Sequence, residues 1–108
     1  MFPLYMGLAS RTLNPIEKLK FCATALIAPN YYMNMFLKPL NPVIGETLQA
    51  TYSDGTQLYC EQISHHPPIS YFLVIGPRNE YRYYGYYDYE AKAGLNSGKV
   101  INTGRRFI

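Results

Sequence analysis

The chain has 108 residues, 10 basic and 7 acidic, with 48% hydrophobic and 16% aromatic side chains and a formal net charge of +3. That length suits one domain and excludes two, and 12 tyrosines with only 16% charged residues exclude an intrinsically disordered chain. Two widely separated cysteines, Cys22 and Cys60, exclude a disulfide scaffold and a zinc-ligand spacing and point to a reducing compartment.

The first thirteen residues show no clear period. Asn14-Pro15 then opens a helix: Asn caps free amides, and Pro suits the first helical position because it has no N–H to orphan. Ile16, Leu19, Ala23, Leu26 and Ile27 follow near helical spacing, and Pro29 ends the pattern. The reading is a helix over 15–28. Residues 30–37 are ambiguous. Lys38-Pro39-Leu40-Asn41-Pro42 reads as a rigid extended loop closing at Gly45, since each proline removes a donor and pushes its predecessor towards extended geometry.

Strands follow. In 47–52, Leu48, Ala50 and Tyr52 share a face, and Asp54-Gly55 supplies a two-residue hairpin turn into a strand over 57–63. His65-His66-Pro67-Pro68 breaks the sheet. Residues 69–75 are nearly continuously apolar, which predicts burial on both faces and self-association of the isolated chain. Gly76-Pro77-Arg78-Asn79 is a turn. A tyrosine-rich strand over 81–89 and a weaker strand over 95–101 complete the chain. The fold class is mainly β with an N-terminal helix, built as an antiparallel meander. No apolar run reaches the roughly 18 residues of a membrane span, and Met1-Phe2-Pro3 lacks the basic start of a secretory signal. A cytoplasmic protein with peripheral membrane contact is expected.

Few residues offer chemistry. Adjacent strand histidines point to opposite faces, so His65 and His66 make a poor chelating pair, and no metal or cofactor is expected. Ser64-His65 lacks the orienting acid and oxyanion hole of a nucleophilic site, and neither a nucleophile elbow nor a glycine-rich phosphate loop occurs. The expectation is a binding protein; the rival is a hydrolase with His65 or His66 as base. The tyrosine strand contains one basic residue, Arg82, which argues against nucleic acid. Lys38, on a loop stiffened by two prolines, suits a phosphate contact, and Asn41 adds a neutral donor beside it.

Two segments carry a resemblance. Lys38-Pro39-Leu40-Asn41-Pro42-Val43-Ile44-Gly45-Glu46 resembles the K-P-x-N-P-h-h-G-E segment of the oxysterol-binding protein family. Glu61-Gln62-Ile63-Ser64-His65-His66-Pro67-Pro68 is similar to its E-Q-V-S-H-H-P-P fingerprint. Asn14-Pro15-Ile16-Glu17-Lys18-Leu19 is similar to the N-P-L-E-R helix start, and 94–100 matches a downstream strand weakly.

The resemblance implies that residues 1–108 form part of a lipid-binding domain, a larger, nearly closed antiparallel β-barrel around a lipid tunnel. The family's N-terminal lid and C-terminal half have no counterpart here, so a truncated or decayed domain without independent activity is the alternative expectation. The implied function is intermembrane lipid transfer at organelle membranes. Its implied ligands are phosphatidylinositol 4-phosphate and, as a second cargo, sterol or phosphatidylserine. Lys38 and Asn41 are then expected to touch the headgroup, and His65 and His66 its 4-phosphate.

Overall fold

The computed structural model describes residues 1–29 and 41–108. Two helices precede a six-stranded antiparallel sheet: α1 (Phe2–Arg11), α2 (Pro15–Ile27), β1 (Thr47–Thr51), β2 (Gln57–His65), β3 (Pro68–Ile75), β4 (Arg82–Ala93), β5 (Gly98–Asn102) and β6 (Arg106–Phe107). The strands run β1-β2-β3-β4-β5 in space, and β6 pairs with β4. The expected meander is therefore present.

α1 has no counterpart in the sequence reading. Its ten residues include Pro3 and Gly7, which read in sequence as interruptions of a helix. Pro3, Met6 and Ala9 nonetheless recur at intervals of three and are the residues it buries. α2 begins as expected. The Asn14 side chain accepts hydrogen bonds from the backbone N–H groups of Ile16 (2.9 Å) and Glu17 (3.3 Å). The face turned to the sheet differs from expectation. Ala25 is fully buried, with Leu26 packed against the core, whereas Ile16, Leu19 and Ile27 are each at least 65% exposed.

The core lies between the helices and one face of the sheet. Met6, Ala25, Phe72, Val74, Tyr81 and Tyr83 form it, with Phe2, Tyr5, Leu58, Cys60 and Tyr87 around it. Register explains the selection. Leu58 faces Val74, Cys60 faces Phe72, Val74 faces Tyr83 and Phe72 faces Gly85, so these side chains share one side of the pleat. Residues 69–75 do not bury both faces. Phe72 and Val74 are buried, while Tyr71, next to Phe72 on the other face, is 47% exposed. The continuous apolar run thus records one covered face and an opposite face of stacked aromatics, Tyr71 on Tyr86 and Tyr84 on Phe107.

Two turns also differ from expectation. Between β1 and β2 the loop has three residues, not two: Gly55 N–H donates to Tyr52 C=O, and Tyr52 N–H to Thr56 C=O. Gly55 alone of the loop has positive φ, +89°, as in a type I turn closed by a bulge. Asp54 accepts from Thr56 N–H (2.9 Å) and from its hydroxyl (3.1 Å), which satisfies a side chain that is fully buried. Between β2 and β3, His66-Pro67 turns the hairpin rather than breaking the sheet. Pairing continues to His65 opposite Pro68, with a cis peptide bond between His66 and Pro67.

The C-terminal part departs most. β5 starts at Gly98, later than expected, after a turn closed by Gly94 N–H donating to Ser97 C=O (2.7 Å). The chain then returns to β4 as β6, with Gly85 opposite Arg106. Close approach requires glycine at two points. A Cβ on Gly85 would lie 2.1 Å from the Arg105 carbonyl oxygen, and one on Gly104 would lie 2.0 Å from that of Tyr86.

Candidate functional site

The β2–β3 corner holds the two histidines. Both are exposed, and their rings lie 4.6 Å apart, tilted by 59°. The expectation that they point to opposite faces fails because His66 has left the strand for the turn, where alternation no longer applies. Among the described residues, no group of three His, Cys, Asp or Glu side chains is placed to hold a metal ion.

What fixes the corner is Gln62, a residue the sequence reading passed over. It is 3% exposed. Its Nε2 donates to the Ser64 carbonyl oxygen (2.7 Å), and its Oε1 accepts from the Ser70 hydroxyl. The strand register shifts between Gln62 and Ser64, and the amide side chain replaces the ladder bonding lost there. Strand alternation held the signal: Leu58, Cys60 and Gln62 fall on one face, so Gln62 had to be buried and bonded.

The proline loop is anchored beside this corner. Val43 N–H donates to a Glu46 carboxylate oxygen (3.0 Å) and Glu46 N–H to Val43 C=O (3.0 Å). Gly45 N–H donates to Gln62 C=O (2.7 Å), and Gln62 N–H to Glu46 C=O (3.0 Å). Gly45, with φ of +79°, closes the loop where the sequence suggested. Asn41 is exposed at its start. Lys38 lies outside the described residues. The structure thus carries the loop's end to within three residues of His65 along β2.

A second feature lies beneath the helices. A cavity of about 330 Å³ is lined by Phe2, Ala25, Leu26, Leu58, Phe72 and Val74, among other apolar groups, with Tyr83, Tyr87, Tyr89 and Arg106 on its sheet side. Alternate tyrosines of β4 line it. Burial pushes the Tyr83 hydroxyl up to about 12 and raises those of Tyr87 and Tyr89, so all three stay neutral donors at physiological pH. The Arg106 guanidinium carbon sits 4.9 Å from the Tyr87 ring centroid.

The profile of the family described as oxysterol-binding protein matches residues 5–108. Oxysterol-binding protein 9 of Dictyostelium discoideum is 38% identical over 89 residues, covering 82% of this chain and 21% of its own length. Oxysterol-binding protein-related protein 3 of Mus musculus is 43% identical over 65 residues, 57% of this chain and 8% of the relative. The chain therefore spans about a fifth or less of these curated relatives. The fold matches the Osh1 ORD domain solved with ergosterol, with a TM-score of 0.84 at 22% identity, over 94% of this chain and 24% of that one. It also matches the Osh3 ORD of Saccharomyces cerevisiae solved with PI(4)P, with a TM-score of 0.71 at 24% identity, over 94% and 27%. Among the described residues no helix is long and apolar enough to cross a membrane.

Proposed function

We propose a lipid-binding and lipid-transfer role on one premise: the chain belongs to the oxysterol-binding protein family. In this reading residues 1–108 are one part of a lipid-binding domain, and the cargo is a phosphoinositide, phosphatidylinositol 4-phosphate, with sterol or phosphatidylserine as the exchanged lipid. The protein acts at the cytoplasmic surface of organelle membranes without crossing them.

The observation that carries the reading is the corner. Two exposed imidazoles stand side by side, on a turn whose flanking strands are tied by Gln62 to the Ser64 carbonyl and the Ser70 hydroxyl. Two adjacent ring donors suit one phosphate. His65 and His66 bind the 4-phosphate, and Lys38 and Asn41 reach the rest of the headgroup from the loop anchored on Gln62. Acyl chains lie along the apolar cavity. The role involves no bond breaking.

The test is lipid extraction from liposomes, using the chain extended by the remaining barrel strands of a relative. Each charge-assisted contact to phosphate is worth about 1.5–3 kcal/mol. Lys38→Ala, and His65→Ala combined with His66→Ala, therefore each weaken phosphoinositide extraction, the histidine pair by on the order of a thousandfold at 1.4 kcal/mol per factor of ten. Extraction of a neutral sterol survives. Mutants that extract phosphoinositide like the parent refute the headgroup assignment. A ligand recovered hydrolysed would favour the rival reading, with a histidine as base.

A further inference from the structure

β1 ends the strand order, with β2 its one neighbour among the described residues. Its ladder shows which backbone groups are left over. Gln62 N–H donates to Glu46 C=O at one end, and Tyr52 N–H to Thr56 C=O at the other. Bonding in an antiparallel ladder alternates, so in this register Leu48 and Ala50 exchange bonds with Cys60 and Leu58. Thr47, Gln49 and Thr51 therefore turn their N–H and C=O groups away from β2, and all three residues are exposed.

Proteins guard such edges with charge, proline, bulges or a covering element. The run Thr47-Leu48-Gln49-Ala50-Thr51 has neither charge nor proline, and its register against β2 is unbroken. At the other end of the strand order β5 carries Lys99, and β6 beside it carries Arg106, so that flank is guarded. Leu48, 55% exposed beside the bare backbone, is apolar surface that one more strand would cover.

We infer that β1 pairs antiparallel with β1 of a second copy of this chain. The strand is self-complementary about Gln49. With Gln49 on the two-fold axis, it exchanges both bonds with its own copy, and Thr47 exchanges both with the second copy's Thr51. Threonine then faces threonine and Leu48 faces Ala50, pairs that favour a sheet, and no like charges meet. The contact is isologous, so it closes at two chains. It differs from the association expected of residues 69–75, whose covered face packs on α1 and α2 of the same chain. One strand is small against a standard interface, so the dimer is weak and dissociates on dilution. The inference does not rest on the lipid-binding reading, but it bears on it. His65 lies about six residues beyond the axis along the strand direction, which at about 3.3 Å per residue sets the two histidine corners roughly 40 Å apart. They stand at opposite ends of the joined sheet, so one dimer offers a headgroup site to each of two facing membranes.

The experiment is sedimentation equilibrium of the 108-residue chain, without lipid, from low-micromolar to near-millimolar concentration. The mean mass rises from that of one chain towards that of two and stops there. Gln49→Pro abolishes the rise. It removes an N–H that β2 does not use, and an edge strand admits proline, so the dilute variant melts near the parent. Charge tests the register. Thr47→Lys with Thr51→Lys sets like charges opposite each other and abolishes the dimer, whereas Thr47→Lys with Thr51→Glu sets opposite charges there and keeps it. Were Gln49→Pro to lose its fold, these two variants, which leave the backbone ladder intact, decide alone. A single-chain mass at every concentration, growth past two chains, association that survives in folded Gln49→Pro, or equal behaviour of the two charge variants overturns the inference. The His65→Ala, His66→Ala pair still dimerises. Undiminished phosphoinositide extraction by that pair would sink the headgroup reading and leave this one standing.

Discussion

The β2–β3 corner and the helix-covered face of the sheet are made of the same strands and obey different rules. At the corner, exposed side chains are positioned by a buried amide and by backbone pairing, and little apolar surface is involved. On the covered face, Phe72, Val74 and Tyr83 are each about 5–6% exposed, and position follows from packing against α1 and α2. A residue can therefore be indispensable at the corner without contributing to stability, whereas on the covered face the two are inseparable. Substitutions should divide accordingly.

The largest effect is expected at Phe72, which packs between Tyr83 and Tyr87 with ring centroids 4.8 and 5.0 Å away. Phe72→Ala should cost about 3–5 kcal/mol, a large share of a small domain's stability, read as a lowered denaturant midpoint. The contrasting His65→Ala, His66→Ala pair should move that midpoint by no more than about 0.5 kcal/mol, as for exposed sites generally. A large shift in the pair would break the comparison and make the histidines structural.

Gly55→Val sharpens the comparison for backbone. Nothing lies within 4 Å of a Cβ at Gly55, so only the positive φ resists the change, at about 1–2 kcal/mol. Equal melting of the two forms would remove the bulged-turn assignment. Asn14→Ala should cost about 1 kcal/mol through loss of the α2 cap, with Asn14→Asp close to the parent.

The smallest effects concern pH and take opposite signs at Tyr83 on the covered face and at Glu80 before β4. Burial raises the Tyr83 hydroxyl to about 12. Its contribution is fully present below the unfolded value near 10 and is lost as pH rises towards 12. The melting temperature should fall across that window, and less steeply in Tyr83→Phe. Glu80 is the opposite case: hydrogen bonding from Arg78, then from Arg11, holds its carboxyl below the usual range. Its contribution is present above the unfolded value near 4.3 and fades as pH falls through the folded one. Its partners Arg11 and Arg78 are well exposed and solvent screens both pairs, so Glu80→Gln should change only a shallow acid limb of the stability profile.

Local signals were enough for part of this molecule. The Asn14 cap, the pleated alternation of Leu48, Ala50 and Tyr52, the Gly45 loop closure and the tyrosine-rich strand that becomes β4 are read from neighbours a few residues apart, and a motif of eight residues identified the family. Tertiary structure decided the rest. α1 carries Pro3 and Gly7, which read locally as interruptions, and packing selects the face of Pro3, Met6 and Ala9. The apolar spacing of α2 pointed to Ile16, Leu19 and Ile27, but the sheet buries Ala25 because a small side chain lets helix and sheet approach. The apolar run over 69–75 does not say how many layers cover it. The face of Gln62 is local, but its partner Ser70 and the return of β6 to β4 depend on register between strands. Side-chain alternation repeats every two residues whatever the partner, so a single strand carries its own faces but not the neighbours that those faces will meet.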